Sequence, residues 1–266
     1  MGEEYDRDRV EKVRPLAMVC GDWHTGYTDK KVRKATLEMI EEYRPETIIL
    51  HDFFDGHSVS PFMYKELIYQ MIKEGVDKDN LSLERELYLC GKELYKIAER
   101  SPDSKIYVVE SNHLEFLDRY LDEGRFVKDP INARIAFIMA YYYSKGEYPV
   151  KYGIKEVYGS IPDNVVFLSR WDDLKINGYQ LGNHGDKSSF DGRGSINTKE
   201  RYFGQSITGH VHSSEKMRKT YTVGTMLPFD MFYLKGGPIA WTHSHAFLYR
   251  TGVQMVNIID GEWQTS

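Results

Sequence analysis

Three short apolar runs, each stopped by residues that can carry protons or bind metals, constrain this chain more than any other feature. Leu16 to Cys20 reads LAMVC and gives way to Gly21-Asp22; Thr47 to His51 reads TIILH and gives way to Asp52; Lys105 to Glu110 reads KIYVVE and gives way to Ser111-Asn112. Apolar runs of this length, bounded by turn residues, predict buried strands. The helical stretch Asp29 to Tyr43 separates the first from the second, and the helical candidates Ser60 to Lys73 and Leu83 to Arg100 separate the second from the third. Strand, helix, strand, helix, strand is the grammar of a parallel sheet with right-handed crossovers. Such a sheet collects polar residues at one edge, where open α/β folds place their ligands.

The rest of the chain reads differently. A long helical stretch follows Asn112, breaks near Asp129-Pro130 and ends in the aromatic run around Tyr141 to Tyr143. From Val165 onward the segments VVFL, YQLGN, QSITGH, TYTVGT, HAFLYR and VQMVNII are short and β-rich, with Gly, Asp and Asn turns between them. No repeat, low-complexity tract or linker divides residues 1–266, which predicts a single α/β domain with a charged extension at 1–14 and helical insertions at 57–104 and 114–150. With 41% hydrophobic and 28% charged residues, the composition is that of a globular protein. No segment approaches the ~18 consecutive apolar residues of a membrane span. The charged start MGEEYDRDRVEKVRP lacks the apolar run of a secretory signal, so a cytoplasmic location without a membrane partner is expected. Two cysteines, Cys20 and Cys90, are too few for a thiolate zinc site and read as buried apolar residues. A net charge of -5 gives no general attraction for nucleic acid.

The histidines carry the chemistry. Of nine, six fall in five short motifs that each follow an expected strand: GDWH (Gly21 to His24), HDFFD (His51 to Asp55), SNH (Ser111 to His113), NHGD (Asn183 to Asp186) and GHVH (Gly209 to His212). Asp22, His24, Asp52, Asn112, His184, His210 and His212 together offer imidazole, carboxylate and amide oxygen, a mixture that suits first-row divalent metals rather than calcium. In an extended strand residues i and i+2 face the same side, so Asp22 with His24, and His210 with His212, are expected to present donors in pairs. These donors exceed what one ion accepts, and two ions sharing a bridging carboxylate is the arrangement used for phosphoryl transfer to water.

The ordered set D-x-H, D-x-x-D, N-H, H-G and G-H-x-H resembles the calcineurin-like metallophosphoesterase superfamily, across roughly residues 16 to 225. The resemblance implies a four-layer α/β/β/α sandwich with a dinuclear metal site at the strand ends. It implies that Asp22, His24 and His212 hold one ion, that Asn112, His184 and His210 hold the other, and that Asp52 bridges them. The ions expected are two divalent cations, manganese first, with iron, zinc or magnesium as alternatives. His113 matches the family's catalytic histidine, which acts as proton donor or stabilises the leaving oxygen, and Asp55 the carboxylate that orients it.

The chain departs from that pattern in places. His51 and Ser111 stand where the family has glycine, and Leu114 stands for a common acidic residue. Gly182-Asn183-His184 competes with Ser111-Asn112-His113 as the third motif, although adopting it costs the site a ligand. Gly56 stands where protein serine/threonine phosphatases carry a phosphate-gripping arginine, which argues against a phosphoprotein substrate. Lys187 and Arg193, in the loop after His184, are candidate phosphate contacts or simply a solvated loop. Lys216, Arg218 and Lys219 could touch a nucleic-acid backbone or sit on an exposed hairpin, and the tyrosines between Tyr141 and Tyr158 could stack on bases, build a subunit contact or pack internally. His57, His243 and His245 fall in no motif. The leading expectation is a DNA nuclease or phosphodiesterase of the bacterial or phage type, with a homo-oligomer left open; a small-molecule phosphoesterase and a non-catalytic scaffold are the alternatives.

Overall fold

The computed structural model describes residues 13–60, 81–187, 194–230 and 240–263. The expected strands form. Ala17–Val19 (β1), Thr47–Leu50 (β2), Lys105–Val109 (β3) and Val165–Leu168 (β4) lie side by side and parallel. Every residue of β1 and β2 is buried, because both faces of the sheet are covered and a continuous apolar run is what such strands require. The sheet is mixed rather than purely parallel. Ser244–Tyr249 (β10) pairs antiparallel with β1, placing Met18 opposite Phe247, and Gly252–Ile259 (β11) and Glu262–Trp263 (β12) extend it outward to seven strands.

A second, five-stranded sheet contains Lys175–Ile176 (β5), Tyr179–Gln180 (β6), Ser206–Thr208 (β7), Thr220–Thr222 (β9) and, at its edge, Glu215–Met217 (β8). Strand alternation divides the core. Ala17, Val19, Ile49 and Val109 meet Leu181, Ile207, Tyr221 and Val223 of the second sheet, while Met18, Ile48, Leu50, Ile106 and Val108 face the helices.

The first helix, Lys30–Tyr43 (α1), is capped by Asp29, whose carboxylate accepts from the amides of Lys31 and Val32, and it buries Val32, Ala35, Met39, Ile40 and Tyr43. Leu83–Arg100 (α2) buries Leu83, Leu87, Cys90, Leu94 and Ile97 along one stripe. Asn112–Asp122 (α3), Ala133–Tyr143 (α4) and Pro149–Tyr158 (α5) complete the layer, with Ile135, Met139, Val150 and Ile154 in the same core. The tyrosines of this region pack on one another: Tyr142 stacks on Tyr152 at 3.8 Å, and Tyr158 lies against Tyr88 and Tyr95.

Ile196–Phe203 (α6), a helix in the half expected to be mostly β, covers the outer face of the second sheet. That face is polar and fully buried, made of Ser206, Thr208, Thr220 and Thr222, with the side chain of Lys199 laid on it. Helices, seven strands, five strands and α6 give the α/β/β/α order. No described helix is long and apolar enough to cross a membrane. The helix expected at Ser60 to Lys73 falls almost wholly outside the described residues.

Candidate metal centre

The loops that leave the carboxyl ends of β1, β2, β3, β6 and β7 converge. Asp22 and His24 follow β1, Asp52 and Asp55 follow β2, Asn112 and His113 form the first turn of α3, His184 follows β6, and His210 and His212 follow β7. Suitable atoms of Asp22, His24, Asp52 and His212 all lie within 4.8 Å of one another. His212 Nε2 is 3.3 Å from Asp22 Oδ2 and 3.2 Å from His24 Nε2. On the other side of Asp52, His184 Nε2 stands 3.1 Å from Asp52 Oδ2, and His210 Nδ1 stands 3.1 Å from Asn112 Oδ1. Asn183 points elsewhere: its side-chain oxygen accepts from the Gly185 amide, bracing the turn that carries His184.

Strand alternation does not present the paired donors. His24, Asp52, His210 and His212 have φ of 47°, 42°, 84° and 61°, beyond the ends of the strands and in the left-handed region. Residues other than glycine are rare there, at a cost of order 1–3 kcal/mol each, and such positions gather where function fixes them. The neighbouring glycine is equally constrained, since a Cβ on Gly209 would run into Asp22 Oδ1 and would lie 3.1 Å from the Cβ of His51.

Several atoms here fit a cation. Asp22 Oδ1, Asp52 Oδ1 and both ring nitrogens of His184 are buried without a well-aligned hydrogen bond among the described residues. His24 Nδ1 pairs with Asp55 Oδ1 at 2.7 Å, which leaves Nε2 as the nitrogen that faces His212 and Asp52. Burial, then the neighbouring His24, holds His212 well below the ordinary histidine range and therefore neutral. Burial, aided by the Asp52 carboxylate, pushes the Asp22 carboxyl up to about 6. Burial also opposes ionisation of Asp52, but His184 and then His113 outweigh it and keep that carboxylate charged. Lone pairs and carboxylates crowded in a space this dry are what a divalent ion compensates.

No family model matches this chain, and no curated protein matches it. Among solved structures it is similar to a single mutant of Vps29 from Entamoeba histolytica, at 13% identity over 93% of this chain and 95% of that one, with a TM-score of 0.42. A second solved structure aligns at 12% identity over 91% of this chain and 99% of its own, with a TM-score of 0.43. The chemistry of the site therefore rests on this chain's own residues.

His113 sits at the mouth, with 21% of its side chain exposed, where His184 and Asp22 are fully enclosed. Its Nδ1 donates to the main-chain carbonyl of Asp55, and its Nε2 looks across at Asp52 Oδ2, 4.0 Å away. The Asp55 carboxylate is nearer to His24, at 2.7 Å, than to His113, at 3.8 Å, so this residue positions both rings by two different groups. Burial opposes the His113 imidazolium, and the carboxylates of Asp52 and Asp55 reverse that, raising its pKa above the ordinary value.

Four residues outside the motifs brace the centre. Arg170, just past β4, makes a two-pronged ion pair with Asp186 at 2.7 and 2.8 Å and reaches Glu110 and Glu115 at 3.4 and 3.5 Å. It thereby ties the His184 loop to the Asn112 loop. Buried His245 accepts from the Gly21 amide and, through its other nitrogen, donates to Thr36, fixing the turn before Asp22. Lys199 Nζ donates to the carbonyl of Gly209, next to His210. Glu86 accepts from the amide and hydroxyl of Ser58, behind Asp55. Arg170 was findable, since it ends a strand as the motif residues do; the other three are single residues without a local signature. His51 is fully buried, its ring 5.5 Å from that of His184. Lys187 is exposed and ion-paired with Glu115, while Arg193 lies outside the described residues. Arg218 pairs with Glu200 on the exposed β8–β9 hairpin. His57 and His243 face Tyr27 and Phe229.

Proposed function

We propose that this chain is a metal-dependent phosphoesterase that hydrolyses phosphodiester bonds, with DNA as its substrate and two divalent ions, manganese first, as its cofactors. The observation that carries this reading is the convergence of Asp22, His24, Asp52, Asn112, His184, His210 and His212 on one buried spot with His113 at its mouth. The first ion would be held by Asp22, His24 and His212, the second by Asn112, His184 and His210, with Asp52 shared. Bound there, divalent ions activate water near neutral pH and neutralise phosphate oxygens.

The chain's own residues supply the rest. Asp55 anchors His24 through its carboxylate and His113 through its carbonyl, so the His113 Nε2 is turned toward Asp52 and the metal centre, where a leaving oxygen would stand. The carboxylates of Asp52 and Asp55 raise the pKa of His113 above its ordinary value, which favours the protonated form that can donate. The described helices α2, α4 and α5 bury their apolar stripes in the core over the sheet, an arrangement compatible with a polymeric diester. The test is hydrolysis of bis-p-nitrophenyl phosphate against p-nitrophenyl phosphate, with linear and circular DNA in parallel, after chelation and re-addition of Mn, Zn or Mg. Diester and DNA cleavage restored by Mn is expected. Monoester turnover alone moves the function to a small-molecule phosphatase, and silence with every metal in folded protein moves it to a scaffold.

A further inference from the structure

Beside the Asn112 half of the centre lies a cavity of about 580 Å³, within the size range of small-ligand sites. Asn112 and His210 form its inner end, so anything seated in it adjoins the metal centre. One wall is α3. Asn112, Phe116 and Arg119 are spaced i, i+4, i+7 on that helix, which sets them in a row on one face, about 6 and 10.5 Å along the axis from the first. An amide at the candidate metal centre, then an aromatic ring, then a cation matches the order of a scissile phosphate, a base and the next phosphate.

The charges at this cavity are unequal in freedom. Lys187 is held by Glu115, and Asp186 is held by Arg170, whereas Arg119 is exposed and carries no ion pair among the described residues. The ring of Phe116 is 5.2 Å from that of His113, so a base stacked on Phe116 would lie in the neighbourhood of that histidine. Every base presents a π-face to such a ring, so stacking selects nucleosides as a class rather than a sequence. The two carboxylates that line the cavity, Glu115 and Asp186, are paired with Lys187 and Arg170, which leaves Arg119 as the cation for a phosphate.

We propose that this cavity is the nucleoside subsite of a nucleotidyl phosphodiester, with Phe116 stacking on the base and Arg119 holding the following phosphate. The proposal rests on the phosphoesterase reading above for its turnover, and has a binding readout that does not depend on it. Turnover of thymidine 5′-p-nitrophenyl phosphate and of a short oligothymidylate would be measured relative to bis-p-nitrophenyl phosphate, which has no nucleoside, in wild type, Phe116→Ala, Phe116→Tyr and Arg119→Gln. Calorimetry would compare thymidine 5′-monophosphate with inorganic phosphate in the same proteins.

The selectivity ratio for the thymidine ester is expected to fall about tenfold or more in Phe116→Ala and to return in Phe116→Tyr. In Arg119→Gln the ratio for the oligothymidylate should fall more than that for the mononucleotide ester. Unchanged ratios in folded variants overturn the proposal while leaving the phosphoesterase reading intact. If no diester is turned over at all, that reading falls and binding decides: thymidine monophosphate bound about tenfold more tightly than phosphate, with the advantage lost in Phe116→Ala, sustains the subsite, and equal binding overturns it.

Discussion

Asp55 does two jobs with two different atoms, and substitution can separate them. Asp55→Asn keeps the carbonyl that holds His113 but loses the carboxylate that accepts from His24 Nδ1. Loss of such an outer partner lowers metal affinity by about 10–100-fold, so the variant should need that much more Mn for half-maximal occupancy, read by metal titration. His113→Ala should do the reverse, keeping its metal while losing on the order of 10²–10⁴ in rate, read by metal content beside turnover. Behind them, burial and then the Asp55 charge push Glu86 up to about 8. A carboxyl with a raised folded-state pKa binds its proton more tightly in the native state, so its stabilisation is present at low pH and is lost as pH rises from about 4.5 to 8. Denaturant unfolding of metal-free protein should therefore weaken across that window, and Glu86→Gln should flatten the trend. The motif residues were legible because each sits at the end of an apolar run. His245, Lys199 and Glu86 were not, since their roles come from partners distant in the chain, such as Gly21 for His245.

The helices and strands divide by how their patterns are generated. α1, α2 and the parallel strands could be read because their apolar periods are complete and their boundaries carry caps or turns. α6 escaped because its buried positions are Thr198 and Lys199, which cover a polar sheet face and leave no apolar stripe to find. The antiparallel docking of β10 on β1 also escaped, since it joins residues more than 200 positions apart and leaves no local mark. Between elements, Arg170 is the main strut at the Asn112 side. Arg170→Ala strands Asp186 and Glu110 without their cation, and breaking a buried pair of this kind costs about 3–5 kcal/mol. The expected result is a lower urea midpoint together with weaker binding of one metal ion of the two, measured by titration calorimetry. Gly209→Ala should cost about 1–3 kcal/mol, because its new methyl displaces Asp22, and the same unfolding assay reads it.

Across the whole molecule, the two sheets and the layer order were expected through a family resemblance, while the division of the late strands into a separate five-stranded sheet could not be read from their composition. The candidate ligands run from residue 22 to residue 212 and reach the site from five loops. Any ion that binds the assembled site and not the open chain adds to folding stability by mass action, about 2.7 kcal/mol at one hundred times its dissociation constant. Chelation should accordingly lower the thermal midpoint by several degrees, and re-added Mn should restore it, read by calorimetry. Four of those ligand positions hold left-handed backbone with ordinary side chains. A cation clasped at those points would offset the strain of that backbone, and the lifetime of the folded chain would then answer to the supply of divalent metal around it.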